Sequence, residues 1–185
     1  PDPLSATFSL AAGESIRLVD VVDTAFGFSG SGALRLTAID GGILATSRTY
    51  NTNPTGTFGQ YIPAFDAEAA AEHGHDYVLM QLASSASFRT NVGFVNTTGE
   101  SVALEVDLYT AAASLLGSVP VALRPFEMRQ TPAVFSLVTS EEIEDGYAVV
   151  RTSTEGGRFF AYISRVDNGS GDAVFLIGER EPALP

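Results

Sequence analysis

The chain reads as an all-β protein: an antiparallel, immunoglobulin-like β-sandwich in which one complete module follows a partial, duplicated one. Three observations lead there. Apolar and polar residues alternate over many short runs, the period-two pattern of strands with one buried and one wet face. Turn-forming clusters separate those runs and helical patterns are scarce, the signature of an antiparallel sandwich. Residues 121–168 also repeat the order of landmarks found in residues 8–51.

Taken in order, residues 19–26 (VDVVDTAF) suit a short helix. Residues 33–39 and 43–50 read as strands around Asp40-Gly41-Gly42, a hairpin signal. Residues 57–64 form another strand candidate, and the alanine- and acid-rich 65–72 a connector with helical propensity. Strands follow at 77–82 and along FRTNVGFVN, where Phe88, Val92 and Phe94 alternate. The turn Asn96–Glu100 leads into SVALEVDLYTA, with Val102, Leu104, Val106 and Leu108 on one side and Glu105, Asp107 and Tyr109 on the other. LLGSVPVAL puts Leu115, Val119, Val121 and Leu123 on one face, Pro120 marking an edge or bulge. The last strands are 146–153, 158–166 and 173–178, the first two joined at Glu155-Gly156-Gly157, a second hairpin signal.

The duplication rests on named pairs. Leu10 aligns with Leu123, Glu14 with Glu127, Gly32 with Gly146, Gly41-Gly42 with Gly156-Gly157, Ser47-Arg48 with Ser164-Arg165, and Asn51 with Asn168. Strand-like sequence at 77–120 precedes the second copy, and almost nothing comparable precedes the first. The expected organisation is a partial module at 1–64, a connector at 65–76 and a complete sandwich at 77–185.

Composition narrows the function classes. With a formal net charge of -12, no lysine and ten scattered arginines, the chain lacks the basic clusters that nucleic acid requires. Cysteine is absent, which removes disulfides and thiolate metal sites, and the lack of lysine removes lysine–asparagine cross-links. No apolar run approaches membrane-spanning length, so membrane insertion is not expected. PDPLSATFSL does not read as a signal peptide.

The strings SRTYN, GTFGQYIPA, FRTNVGFVN and SRVDNGSGD resemble tandem modules of large secreted bacterial proteins, from about Phe8 to about Leu176. The resemblance implies a secreted β-sandwich repeat with a structural or surface role, extracellular or on the cell surface. It carries over no catalytic residue. In that pattern a segment like 88–125 opens each module, and the first module here has none.

Candidate chemistry is sparse. Asp167, Asn168, Ser170 and Asp172 make an oxygen-rich loop of the kind calcium favours. The spacing is not that of an EF-hand, the matching NTNPTG lacks the acids, and an Asx turn is the simpler reading. His73 and His75, flanked by Glu72 and Asp76, suit zinc or copper, against the plainer reading of a polar linker. The acidic run 141–145 reads as a solvated loop. Asn96 and Asn168 head N-glycosylation patterns that arise often by chance. No G-x-S-x-G elbow or cysteine nucleophile exists, so no catalytic residue and no cofactor are assigned and an enzyme is not expected.

The leading expectation is a secreted or cell-surface structural subunit, a homo-oligomer or filament built by β-strand complementation through an exposed sheet edge. The terminal segments PDPLSATFSL and EREPALP are candidate donor or acceptor pieces. The alternative is a non-catalytic adhesion module for carbohydrate or cell surface, with Tyr50, Tyr61 and Tyr109 the outward candidates. A glycoside hydrolase, which needs two facing carboxylates, comes third.

Overall fold

A computed structural model describes residues 4–54 and 56–181, so EREPALP lies mostly outside the described residues. The chain divides between Leu36 and Thr37 into two compact units. In the first, α1 (Val21–Phe26) enters through Asp20 at φ 50 and leaves through Gly27 at φ 62. Both are left-handed, a conformation that costs glycine little. No strand forms among described residues 4–36, so the expected strand at 33–39 is absent despite its alternation. Alternation fits a residue to a sheet, but a strand exists only when another strand offers hydrogen bonds.

The second unit is nearly all antiparallel β. β1 (Thr46–Asn53) and β2 (Gly56–Pro63) form a separate hairpin with Thr46 opposite Pro63 and Asn53 opposite Gly56. The strand expected from residue 43 therefore starts three residues late. Where a helical connector was expected, a 3-10 turn spans Ala67–Ala69, with the Asp66 carboxylate accepting from the Glu68 N–H at 3.1 Å.

Beyond it lie β3 (Ala71–Glu72), β4 (Tyr77–Ser84), β5 (Phe88–Asn96), β6 (Val102–Thr110), β7 (Leu115–Leu123), β8 (Met128–Thr131), β9 (Ile143–Thr152), β10 (Arg158–Asp167), β11 (Ala173–Ile177) and β12 (Glu179–Arg180). Their hydrogen-bonded order is β11-β10-β5-β4-β9-β6-β7, with β12 on β4, β3 on β10 and β8 on β5. β4 and β5 share a single register pair, Ser84 opposite Arg89. The sheet folds there into two leaves, β11-β10-β5-β8 and β12-β4-β9-β6-β7.

One core joins the leaves. Leu79 and Leu82 of β4, Leu104, Val106 and Leu108 of β6, and Ala148 and Val150 of β9 cluster with Val92 and Phe94 of β5 and Phe159, Ala161 and Ile163 of β10. Val134 and Phe135, from a 3-10 turn at Val134–Leu137 that the sequence did not signal, join them. The chain is thus an all-β, antiparallel, sandwich-like protein.

Both Gly-Gly turns behave differently from their sequence signals: among the described residues Asp40-Gly41-Gly42 has no strand before it and closes no hairpin. Glu155-Gly156-Gly157 joins β9 to β10, but β9 pairs with β4 and β6 while β10 pairs with β5, β3 and β11. This is an arch between leaves rather than a hairpin. The β1–β2 hairpin groups with residues 37–185 and leans on β10 and β11. The Ser164 hydroxyl donates to Gln60 Oε1 at 2.9 Å, and Phe65 packs at 5.8 Å from Phe160 and 6.1 Å from Phe175.

Candidate functional site

Two short stretches, 113 residues apart by the Leu10–Leu123 pairing, share their local geometry. At Ala11–Glu14 the Glu14 carboxylate accepts from the Ala11 N–H at 2.7 Å, and the Glu14 N–H donates to the Ala11 carbonyl at 3.0 Å. At Arg124–Glu127 the same two bonds measure 2.7 and 3.1 Å. The residue before each glutamate has positive φ, 77 at Gly13 and 56 at Phe126. Further on, Asp20 at φ 50 precedes the helical turn beginning at Val21, and Ala133 at φ 43 precedes the one beginning at Val134. Because φ above zero is costly for a non-glycine residue, its recurrence at Asp20 and Ala133 is informative.

Burial separates the two stretches. Carrying the aligned pairs along the chain sets Phe8 against Val121, Leu34 against Ala148, Leu36 against Val150 and Leu44 against Ala161. Val121, Ala148, Val150 and Ala161 are buried, whereas Phe8, Leu34 and Leu36 are about half exposed and Leu44 is 103 % exposed.

The pairing pattern supplies the physical reason. Val121–Leu123 pairs with β6, β8 with β5, β9 with β4 and β6, and β10 with β5. All of these partners lie within residues 77–120. Among the described residues beyond Leu123 the strands make one pairing among themselves, β10 with β11. Residues 8–63 show the same selectivity: the hairpin β1–β2, whose Ser47-Arg48 matches the Ser164-Arg165 of β10, forms, and among the described residues no other strand does.

The Ser-Arg signature does defined work in β10. The Arg165 guanidinium lies 4.3 Å from the Phe88 ring centroid. Asn168 Oδ1 accepts from Arg89 Nη1 at 2.7 Å, its Nδ2 donates to the Ser85 and Ala86 carbonyls, each at 3.2 Å, and its N–H donates to the Ser87 carbonyl at 2.8 Å. Together these groups grip the β4–β5 turn. On β1, Arg48 instead lies 5.1 Å over its own neighbour Tyr50 and donates to Thr57 Oγ1 at 3.2 Å.

The metal candidates have other occupations. Asp167 Oδ1 accepts from the Gly169 N–H, the Ser170 N–H and the Ser170 hydroxyl at 2.6–2.9 Å, an Asx turn. Those donors, the Ser170 N–H foremost, hold its carboxyl below the usual carboxylate range. Asn168 Oδ1 accepts from the Arg89 cation, and the Asp172 backbone N–H donates to Ser170 Oγ at 3.1 Å. The Arg180 guanidinium contacts both ring nitrogens of His75, with Nδ1 at 2.8 Å, and Glu72 Oε1 stands 4.0 Å from Nε2. His73 is exposed. Among the described residues, no three His, Cys, Asp or Glu side chains gather as a metal site. Asn96 is buried, its Nδ2 donating to the Glu100 and Arg124 carbonyls at 2.7 and 2.9 Å, which leaves no room for a glycan.

Two features escaped the sequence. A cavity of about 370 Å³ is lined by Gln81, Phe88, Arg165, Asp167, Val174 and Leu176, beside Gln81 at φ 63 in an irregular stretch of β4. On the outer face of β6, Asp107 is buried, accepting from Ser118 Oγ and Arg151 Nη1, both at 2.5 Å, while Arg151 also clasps Asp76 at 2.8 Å. Strict alternation puts Asp107 on the wet side. Of the tyrosines read as outward, Tyr50 and Tyr61 are exposed, whereas Tyr109 stacks on Tyr147 at 4.9 Å.

No family model and no curated protein matches the chain. A crystal structure of Thermotoga maritima 1070 is similar to it, covering 60 % of this chain and 97 % of that one at 10 % identity and a TM-score of 0.47. No helix among the described residues is long and apolar enough to cross a membrane.

Proposed function

We propose that the chain is a structural protein of the secreted or cell-surface type that self-associates, its N-terminal residues acting as a half module completed by β-strands of a neighbouring molecule. One observation carries this reading: Phe8, Leu10, Leu34, Leu36 and Leu44 are exposed in the described structure, while their aligned counterparts fill a sandwich core. Shared turns at Glu14 and Glu127 and at Asp20 and Ala133 support treating residues 8–51 and 121–168 as copies of one closing segment. Each such leucine or phenylalanine gains about 1.5–3 kcal/mol on full burial, and exposed apolar side chains beside unpaired backbone drive association. Head-to-tail contacts of this kind do not close and give filaments.

Light scattering against concentration, with electron micrographs of the same samples, tests it. Mass should rise above 19.4 kDa with concentration, and Leu10→Ser, Leu36→Ser and Leu44→Ser combined should hold the chain monomeric. A wild-type chain that stays monomeric at every concentration overturns the reading. A second reading, an adhesion module, draws on exposed Tyr50 and Tyr61 beside Arg48 on one face of β1–β2. Oligosaccharide binding lost in Tyr50→Ala and Tyr61→Ala would favour it.

A further inference from the structure

We propose that the cavity between Gln81 of β4 and Arg165 of β10 binds a small zwitterion, a free α-amino acid with an apolar side chain. The site goes beyond the self-association reading and involves none of the N-terminal leucines.

Register places the lining side chains together. Phe159, Ala161 and Ile163 join the core from every second position of β10, and the period of two carries Arg165 and Asp167 onto the same face. Val174 stands opposite Arg165, Leu176 opposite Ile163, and Phe88 opposite Asp167. The Asp167 N–H donates to the Asp172 carbonyl at 2.9 Å. The inner face of this leaf, apolar as far as Ile163, therefore ends in a cation and a carboxylate, with Asp172 alongside. Across the cavity an irregular stretch of β4 holds Gln81 at φ 63, and a bulge of this kind re-aims a side chain. The volume, about 370 Å³, sits at the low end of ligand cavities, which run from about 300 to 1,000 Å³.

The polar lining is largely unpartnered. The half-buried Arg165 guanidinium lies on the Phe88 ring and, among the described residues, makes no hydrogen bond and no ion pair. The Gln81 amide and the Asp172 carboxylate likewise make none among the described residues, and Asp167 accepts through Oδ1 alone. Stacking fixes the guanidinium while leaving its N–H donors for an acceptor, and a carboxylate meets them in bidentate fashion. A lone anion does not suit the cavity, because Asp167 and Asp172 line it too and the chain carries a net charge of -12. A lone cation meets Arg165. An α-amino acid holds its carboxylate and its ammonium on one carbon, so one group pairs with Arg165 and the other with the aspartates. Phe88, Val174 and Leu176 form the apolar wall. Val174 is 57 % exposed, so an apolar side chain laid there buries surface on both partners.

The test titrates L-leucine into the full chain by isothermal titration calorimetry. We expect saturable one-to-one binding. Leucinamide, which lacks the carboxylate, and N-acetyl-leucine, which lacks the ammonium, should each bind about tenfold more weakly or worse. L-glutamate, which sets a further negative charge against the apolar wall, should do the same. Arg165→Lys should weaken leucine binding about tenfold by removing the bidentate fork, and Asp172→Asn about threefold to tenfold. Asp172 is exposed and its carboxylate bonds to nothing among the described residues, so its variant reports on the site rather than on folding. Absence of leucine binding, equal binding of leucinamide or N-acetyl-leucine, or unchanged affinity in both variants overturns the proposal. Self-association is decided separately. A chain that binds leucine yet stays monomeric keeps this site and loses the half module, and one that associates yet ignores leucine does the reverse.

Discussion

Leu10 and Leu123 each stand immediately before a turn closed by a glutamate carboxylate, yet Leu10 is 45 % exposed and Leu123 is 1 % exposed. The same side chain in the same local geometry therefore has two different energetic roles. Leu123→Ala should destabilise the chain by about 2–5 kcal/mol, as deletion of a packed leucine does. Leu10→Ala should shift monomer stability by no more than about 0.5 kcal/mol while lowering the mass seen at high concentration. Denaturant melts of dilute protein, with light scattering of concentrated protein, separate the two effects.

The outer face of β6 offers a second contrast. Arg151 bridges Asp76 and Asp107, and those carboxylates, Asp76 first, raise its pKa further and keep it charged. Removing one partner of a buried pair costs about 3–5 kcal/mol, and the partial exposure of Arg151 reduces that to about 1–3 kcal/mol. Arg151→Met should therefore destabilise, and adding Asp107→Asn should recover part of the loss. If the double variant is as unstable as the sum of both single changes, the bridge contributes nothing of its own.

How much of this was legible in the sequence depends on which partner each signal needed. β5 and β7 begin and end where the alternation of FRTNVGFVN and LLGSVPVAL places them, but Leu115, read onto the face of Val121 and Leu123, is exposed beyond a register shift in β6–β7. Residues 33–39 alternate just as well and form no strand, since alternation cannot say whether a pairing strand is present. The Gly156-Gly157 turn was legible as a turn but not as an arch, because the leaf each flanking strand joins is a tertiary choice. Asp107 was misplaced for a related reason: its cover comes from Arg151 and Ser118, forty-four and eleven residues away. The Ser-Arg-x-x-Asn spacing was visible, but its role became readable only when Phe88 and Arg89 appeared against Arg165 and Asn168.

Acid should loosen the closing segment first at its turns. The Arg124 N–H, above all, holds the Glu127 carboxyl below its ordinary value, and the Ser170 N–H does so for Asp167. A carboxylate whose pKa is depressed on folding contributes stability above its unfolded pKa and loses that contribution as pH falls through the folded value. Melting temperature should thus drop as pH falls below about 4. Glu127→Gln and Asp167→Asn should start lower at neutral pH and fall less steeply. A parallel fall in wild type and variants would remove both turns from the acid response.

Calcium should leave the protein unchanged. Occupying the loop at Asp167–Asp172 would place a cation beside Arg89 and displace three donors from Asp167 Oδ1. Neither millimolar calcium nor a chelator should move the melting temperature. A calcium-dependent rise, abolished by Asp167→Asn, would show that the loop rearranges into a cation site.

Amide exchange can place the unpaired strands directly, because protection reports whether each N–H has a partner. In dilute solution, amides of residues 33–45 lack strand partners and should exchange close to the unprotected rate. Those of β9 and β10, paired along their lengths in the sandwich, should exchange only with global opening. Raising the concentration until the chain associates should slow exchange at residues 8–10, 33–39 and 43–53 and leave β9 and β10 as they were. Protection confined to the β7 or β11 edges would instead mean that copies meet edge to edge with the half module still unfilled. Leu36 and Leu44 would then be exposed in the assembly as well, and substituting them would not change its mass.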